Sequence, residues 1–214
     1  MVYLKKIGEQ FLLRSMQADD AEQLGALQKV IFPNLSAGEL ITAEHYRNYV
    51  TAFAEGQLVI LDGENVIATS CSMITDFDFN HYQHSFKETI GDGTLNNHNP
   101  KGEWLYQLDI GVHPNYRGRG LARELYSANH FIAKELGLKG QLTVGMLNGY
   151  GSVCNSVTAE EYYAELIAGK RNDPTVSVQM KIGFEPLGLI PNYLDDPTCG
   201  NYGVLLKLPV EKSI

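Results

Sequence analysis

The sequence predicts a mixed α/β fold that contains both antiparallel and parallel strand pairs. Two apolar runs, residues 57–61 and 66–74, are joined by Asp-Gly-Glu-Asn, which is a strong hairpin signal. Residues 104–112 and 141–147 predict two further strands, separated by an apolar helical stripe over residues 121–136. Because strand–helix–strand crossovers place their strands side by side and parallel, this second pair is expected to be parallel.

The remaining elements each have a local signal of their own. Before the hairpin, apolar periodicity predicts a strand and then two helices, at residues 11–16, 18–32 and 43–55. After the parallel pair, the capping box Thr158-Ala-Glu-Glu161 predicts a short helix that ends near Gly169. Asp173-Pro174 predicts the start of another helix, which Gly183 ends. Residues 187–190 and 202–208 predict the last strands.

Length and composition indicate one domain over residues 1–214. With 214 residues, 44% of them hydrophobic, the chain can bury a core of its own. Two polar stretches, at about residues 76–102 and 148–171, are long for loops in a compact domain and are interpreted as insertions. The formal net charge of −8 argues against nonspecific binding to nucleic acid or to an anionic membrane.

Cysteine usage and hydropathy predict a cytoplasmic protein. The three cysteines are an odd number, far apart and without a CxxC pair, which is typical of a reducing compartment. No apolar run reaches the roughly 18 residues of a membrane span, and MVYLKKIGEQ lacks the apolar core of a signal peptide.

The most informative stretch is HPNYRGRGLARELY, residues 113–126, between a predicted strand and a predicted helix. Amide groups at a helix start lack intrahelical partners and lie at the positive end of the helix dipole. Gly118 and Gly120 would let a ligand approach this backbone closely, and Arg117, Arg119 and Arg123 would add positive charge. The pattern predicts a phosphate or pyrophosphate site. A plain strand-to-helix turn with surface arginines is the alternative.

Two common phosphate motifs do not fit this stretch. A P-loop would need Lys and Ser or Thr after Gly120, where Leu121 and Ala122 stand. A dinucleotide fingerprint would need glycine at Arg123 and an acidic residue about 20 positions further on.

These residues resemble the GNAT superfamily of acetyl-CoA-dependent N-acetyltransferases. The family's pyrophosphate signature, Arg/Gln-x-x-Gly-x-Gly/Ala, is similar to Arg117-x-x-Gly120-x-Ala122. DIGVHP, residues 109–114, looks like the end of the family's fourth strand, and NDPTVSVQMKIGF, residues 172–184, looks like its later Asn-to-Gly-Phe segment. The resemblance implies a mostly antiparallel sheet of about seven strands with helices on both faces. In it, the parallel fourth and fifth strands splay apart to form the acetyl-CoA cleft.

A narrower resemblance is to the GNAT domain found fused to carbon–nitrogen hydrolase, or nitrilase-like, domains in some bacterial proteins. It rests on TLNNHNPKGEWLY, IPNY and NYGVL together with the motifs above. Such a hydrolase is not expected within these 214 residues, so whether the domain acts alone or with a separate hydrolase stays open. A monomer and a homodimer are both compatible with the sequence.

The resemblance also implies a set of cofactor-binding residues. Ile110 and Val112 would bind the pantetheine arm through their backbone groups, and Asn172 would face it. The pyrophosphate would be held by Arg117, Gly118, Arg119, Gly120, Leu121 and Ala122.

Catalysis needs a base for the acceptor ammonium and an acid for the departing thiolate. Many relatives have a Tyr acid four residues before the Gly of Gly-Phe, where this chain has Gln179. Candidate substitutes are Asp109 as the base, with Tyr106 and Tyr150 as further catalytic groups; Tyr193 could also reach the cleft. Tyr106 and Asp109, at odd separation on one strand, are expected to face opposite sides of the sheet.

The other reactive residues are interpreted more simply. HxxH at residues 81–84, with His98, is weak as a metal motif because no acidic partner stands at a fixed spacing, so no metal is expected. Cys154 has no motif-placed histidine to activate it, and Cys71 is expected in the core.

The leading hypothesis is an acetyl-CoA-dependent N-acetyltransferase that acts on a primary amine of a small molecule, with the two insertions covering the acceptor. One alternative is a non-catalytic acyl-CoA or small-ligand binding module that regulates a partner such as a nitrilase-like hydrolase. A phosphate-binding protein unrelated to coenzyme A is the third.

Overall fold

The computed structural model describes residues 2–212 and 214, and its centre is one eight-stranded sheet. The strands are Leu4–Ile7 (β1), Phe11–Ser15 (β2), Gln57–Asp62 (β3), Asn65–Thr75 (β4), Trp104–Val112 (β5), Gly140–Met146 (β6), Glu185–Ile190 (β7) and Gly203–Pro209 (β8). Their spatial order is β1-β2-β3-β4-β5-β6-β8-β7, and of these pairs only β5 and β6 run parallel. The mixed, mostly antiparallel sheet is therefore confirmed. The expectation of about seven strands missed β1, a short edge strand.

Six α-helices accompany the sheet in the described part of the chain. They are Ala21–Ile31 (α1), Ala43–Ala52 (α2), Phe86–Ile90 (α3), Leu121–Glu135 (α4), Ala159–Ile167 (α5) and Val176–Ile182 (α6). Strand β3 shows how they divide between the two faces. Leu58 and Ile60 pack with the buried stripe of α4, whereas Val59 and Leu61 belong to the larger core that includes α1 and α2. Because side chains alternate along a strand, α4 lies on one face and α1 and α2 lie on the other.

Strands β5 and β6 separate halfway along their length. They pair only from Trp104 opposite Gly140 to Gln107 opposite Thr143. Beyond that point β5 stays on β4 as far as Val112, and β6 stays on β8. A wedge-shaped gap therefore opens between β5 and β6, while β4 still pairs with β5 and β8 still pairs with β6. This is the splayed parallel pair that the family resemblance implied.

Both proposed insertions contain local structure. Residues 76–102 include α3, whose N-terminus carries a capping box formed by Ser85 and Glu88. Residues 148–171 include α5, which begins at the predicted capping box of Thr158 and Glu161. That both stretches are insertions into a single domain stays a prediction.

The start of α6 differs from the sequence prediction by a few residues. The helix begins at Val176, after Asp173-Pro174. Asp173 still serves the helix start, because its Oδ1 accepts hydrogen bonds from the amides of Thr175 and Val176. None of the helices in residues 2–212 has both the length and the apolar character that crossing a membrane would require.

Candidate active site

The glycine-rich loop lies between the end of β5 and the start of α4. Gly118 and Gly120 have φ angles of 75° and 79°, the left-handed region that side chains with a Cβ rarely adopt. Gly120 is the N-cap residue of α4, and no side chain caps this helix. A Cβ built at either glycine would have no atom within 4 Å, so the loop surface is open. The first-turn amides are therefore available to an anion from outside the chain.

The three arginines of this loop differ in what they contact. Arg117 donates from Nε to the Val112 carbonyl at 3.1 Å and from Nη2 to the Ile31 carbonyl at 3.4 Å. Arg119 lies over the Tyr116 ring, and Arg123 is exposed. The sequence predicts that all three supply positive charge to a bound phosphate. The structure adds that Arg117 ties the loop to the ends of β5 and α1, which fixes where the loop lies.

A cavity of about 110 Å³ occupies the gap between β5 and β6. Its polar lining comes from both strands, from α6 and from the segment after β7, whereas Phe32, Leu35 and Phe86 contribute an apolar side. The lining residues that matter below are Gln28, Asp109, Ile110, Asn148, Gln179 and Tyr193. The strand edge expected to bind pantetheine and the favoured base therefore meet at one cavity.

Asp109 is the one carboxylate among the described residues that line this cavity. Its side chain is buried, and its Oδ2 accepts a hydrogen bond from Gln28 Nε2 at 2.7 Å. Burial raises the pKa of Asp109 to about 7, while hydrogen bonds from Gln28 and the Ile110 amide oppose that rise. A carboxyl group that titrates near neutral pH can accept a proton from an amine at the pH of the cell.

Tyr106 and Asp109 share one face of the sheet, contrary to the sequence prediction. Strand β4 pairs Ser72 with Gln107 and Cys71 with Asp109, so β5 carries one extra residue at this point. Such a β-bulge interrupts the alternation of side chains. The Tyr106 hydroxyl consequently lies 3.5 Å from that of Tyr193, a residue that lines the cavity together with Asp109.

The position of the family's usual acid is occupied by Gln179, as the sequence indicated. This side chain is 2% exposed and donates to the Tyr126 hydroxyl at 2.9 Å. Its other polar atom, Oε1, has no hydrogen-bond partner among residues 2–212 and 214. An amide cannot deliver a proton at neutral pH, so an acid, if one is needed, comes from another residue.

Among the predicted site residues, only Asp109, Ile110 and Tyr193 line the cavity in the described part of the chain, and Tyr150 and Asn172 are two that do not. Tyr150 packs edge-on against Tyr162 and Tyr202 in a separate aromatic group, beside an open depression formed with residues 154–161. Asn172 is exposed, whereas Asn148, at the end of β6, lines the cavity and donates to Thr175 Oγ1 at 2.7 Å. The ring contacts with Tyr162 and Tyr202 explain why Tyr150 does not reach the cleft.

The histidines at residues 81, 84 and 98 have different partners. His81 contacts Asp78 on the surface, His84 contacts Tyr106 at 2.7 Å, and His98 accepts from the Ile74 amide. Among residues 2–212 and 214, no three His, Cys, Asp or Glu side chains come together in a way that could hold a metal ion. Cys71 is buried as predicted, and Cys154 is exposed.

Sequence reasoning missed Gln28 and Asn148 as site residues. Gln28 lies in the middle of α1 and is almost completely buried, where it donates to both Asp109 and Tyr46. The only signal was a polar residue on the apolar face of a predicted helix. Asn148 is the second residue after β6, at the opening edge of the parallel pair, which is where ligand contacts in parallel sheets concentrate.

Comparisons with known proteins give a consistent assignment. Residues 22–150 match the model of the acetyltransferase (GNAT) family. The chain is 29% identical over 200 residues to YkwB of Bacillus subtilis (strain 168), described as an uncharacterized N-acetyltransferase, covering 93% of this chain and 88% of YkwB. It is also 29% identical over 205 residues to YhcX of the same organism, described as a probable hydrolase. That alignment covers 95% of this chain and only 39% of YhcX.

Solved structures share the fold. The GNAT-like decarboxylase GphF in complex with isobutyryl-CoA superimposes with a TM-score of 0.78 at 18% identity, covering 92% of this chain and 98% of that one. The acetyltransferase yncA from Salmonella typhimurium, solved with acetyl-CoA, gives 0.53 at 13% identity and covers 96% of both chains. Because the family model matches more than half of the sequence, the chain belongs to the GNAT acetyltransferase family and is an acyltransferase.

Proposed function

We propose that this protein is an acetyl-CoA-dependent N-acetyltransferase that moves the acetyl group to a primary amine of a small molecule. One observation carries the proposal: a buried carboxyl, Asp109, with a pKa near 7 lies in the gap between β5 and β6. The same strand leads directly to the uncapped, glycine-rich start of α4. One strand thus provides both a base and the approach to a pyrophosphate site.

The chain's own groups fit acetyl-CoA. Residues 117–122 would hold the pyrophosphate through the free amides of the α4 start. Ile110 and Val112 lie on the edge of β5 that β6 no longer covers, so their backbone groups can bind the pantetheine arm. Asn148 is better placed than the exposed Asn172 to contact that arm from the opposite strand.

Asp109 would accept a proton from the acceptor ammonium, which frees the nitrogen lone pair for attack on the thioester carbonyl. The amide bond then forms as the carbon–sulfur bond breaks, and coenzyme A leaves as a thiol or thiolate. Gln28 holds the Asp109 carboxylate in place through its 2.7 Å hydrogen bond. Direct transfer needs no covalent enzyme intermediate, and no cysteine lines this cavity in the described part of the chain.

The size and lining of the cavity favour small acceptors. About 110 Å³ accommodates the reacting ends of the two substrates and little else. The apolar side formed by Phe32, Leu35 and Phe86 favours an amine attached to an apolar group. A separate hydrolase partner stays a proposal that the likeness to part of YhcX supports.

Release of free thiol from acetyl-CoA over a panel of primary amines tests the activity.

Calorimetry with coenzyme A then tests the site, using Gly120→Asp and the matched control Gly120→Asn. Asp and Asn have nearly the same shape, and both tolerate positive φ better than most residues, so only the charge separates the two variants. We expect Gly120→Asp to bind at least tenfold more weakly than Gly120→Asn. Equal affinities would refute the pyrophosphate assignment, and the absence of thiol release with every amine would refute the transferase activity.

A further inference from the structure

Three side chains form a hydrogen-bonded row that starts at the cavity and leads away from it. Tyr193, which lines the cavity, has its hydroxyl oxygen 3.5 Å from that of Tyr106. The Tyr106 hydroxyl lies 2.7 Å from His84 Nε2, and His84 Nδ1 lies 2.7 Å from the Tyr82 carbonyl oxygen. Both tyrosines are almost fully buried, whereas His84 is only partly buried, so the row connects the closed site with the protein surface.

The hydrogen bonds of this row have one consistent direction. A carbonyl oxygen can only accept, so His84 Nδ1 carries the hydrogen that it shares with Tyr82. Burial lowers the pKa of His84, which keeps the ring neutral at pH 7 and leaves Nε2 as an acceptor. Tyr106 therefore donates to Nε2, and its own oxygen is left to accept from Tyr193. Every donor in the row points away from the cavity.

We propose that Tyr193, Tyr106 and His84 form a proton relay that carries protons from the acceptor site of this enzyme to its surface. The inference rests on the proposed function. Asp109 takes the first proton, from the ammonium; in the relay step, a second N–H bond of the attacking nitrogen breaks and its proton joins the Tyr193 oxygen. The Tyr193 proton passes to Tyr106, and the Tyr106 proton passes to His84 Nε2. The resulting imidazolium then gives one proton to water, and the row returns to its starting state when the hydroxyl groups have rotated and the His84 ring again carries its single hydrogen on Nδ1.

The proton balance of amine acetylation explains why such a path is useful. The acceptor nitrogen loses two protons between the ammonium and the amide, and the coenzyme A thiol takes up one, so one proton leaves per turnover. Asp109 can store a proton, but it is 8% exposed, and the amide of Gln28, which donates to it, cannot take the proton up. The row through Tyr106 offers a way out that Asp109 lacks.

The charged groups around the row favour a proton at its outer end. Glu88 of α3 is the carboxylate that acts on His84, and it stabilises the imidazolium. At the inner end, burial above all, then the contact with Tyr106 and the charges of Glu39 and Asp109, raise the pKa of Tyr193. Tyr193 therefore stays a neutral phenol that can pass a proton on without ionising.

The tautomer of His84 gives a test that needs no substrate. Nitrogen-15 chemical shifts of the imidazole ring, recorded on the whole protein at pH 7.5, should show a protonated Nδ1 and a bare Nε2. A ring protonated on Nε2 would make Tyr106 the acceptor, and the proposed direction of transfer would then be wrong.

Kinetics of two variants test the relay itself. Tyr106→Phe removes the central hydroxyl, and His84→Gln keeps a hydrogen-bond acceptor of similar length that cannot take up a proton. Both should lower kcat by about 10- to 100-fold, within the range typical of general acid–base groups, while KM for acetyl-CoA changes less than twofold. The matched controls are Tyr163→Phe, a partly buried tyrosine of α5, and His81→Gln, an exposed histidine of the same insertion; both should keep wild-type rates.

The outcomes separate the two proposals. If the wild-type enzyme acetylates amines and both relay variants match it in kcat, the relay is wrong and the transferase assignment stands. Unfolded variants would be recognised by circular dichroism, and in that case Tyr193→Phe, which also removes only a hydroxyl, provides the same comparison. If the wild-type protein acetylates none of the amines, both proposals fail together.

Discussion

Replacing Asp109 by Asn should change how the stability of the protein depends on pH. The Asp109 carboxyl has a pKa of about 7 in the folded protein, compared with the ordinary aspartate value of 3.8. Between these two values the folded state retains a proton that the unfolded state has already lost. Stability therefore falls as pH rises through this window, because the unfolded state binds fewer protons than the folded state does.

The size of the effect follows from the shift. One pKa unit corresponds to 1.36 kcal/mol, so this carboxyl lowers the free energy of unfolding by about 4 kcal/mol between pH 4 and pH 8, as an upper limit. Asn keeps the shape but cannot ionise. Its NH₂ group would face a donor, either Gln28 or the Ile110 amide, which costs about 1–3 kcal/mol. That cost is the same at every pH, so the pH dependence of the difference between variant and wild type isolates the ionisation.

Urea unfolding at pH 4.5, 6, 7 and 8.5 measures this difference. We expect Asp109→Asn to gain stability relative to wild type as pH rises, by up to about 3 kcal/mol over the series. The control is Asp92→Asn: Asp92 is exposed, and hydrogen bonds from Thr94 lower its pKa, so its ionisation lies below the measured range. A constant difference between Asp109→Asn and wild type would show that Asp109 is already ionised at low pH, and the argument for a near-neutral base would then be refuted.

Two further predictions concern stability and thiol chemistry. Asp173→Ala should lower the free energy of unfolding by about 2–4 kcal/mol in urea titrations. The buried Asp173 carboxylate accepts hydrogen bonds from the Gly149 and Val176 amides and from the Tyr162 hydroxyl, and all three would be lost. An unchanged unfolding midpoint would contradict this role. A maleimide reagent should modify Cys154 alone in the native protein and all three cysteines in 6 M guanidinium, as judged by intact mass. Rapid labelling of Cys71 under native conditions would contradict its burial.

The sequence predicted those parts of the fold that depend on local signals. The hairpin of β3 and β4, the crossover through α4 and the capping box of α5 each depend on a few neighbouring residues, and all three are present. The glycines at 118 and 120 adopt the positive φ that the loop interpretation required. In each case, a short stretch of chain has few alternatives to the observed conformation.

The parts that the sequence did not predict depend on residues far apart in the chain. Gln28 becomes a site residue only because α1 packs over β5 at Asp109, 81 positions later. Tyr150 was placed at the cleft because it follows β6 closely, but ring contacts with Tyr162 and Tyr202 hold it elsewhere. Side-chain partners of this kind are fixed by tertiary packing, which local patterns do not contain.

The bulge in β5 connects several of these features. Without the bulge, side chains would alternate regularly along β5 and Asp109 would lie on the face of α4, where Gln107 meets Gln141, and the gap between β5 and β6 would contain no carboxylate. With it, Asp109 turns toward Gln28 and shares a cavity with Tyr193. Gln179 can therefore occupy the position at which many relatives have a tyrosine that acts as the general acid. The chain instead brings a phenol and a carboxyl to the cavity from Tyr193 and Asp109, and through Tyr106 the Tyr193 phenol is connected to His84.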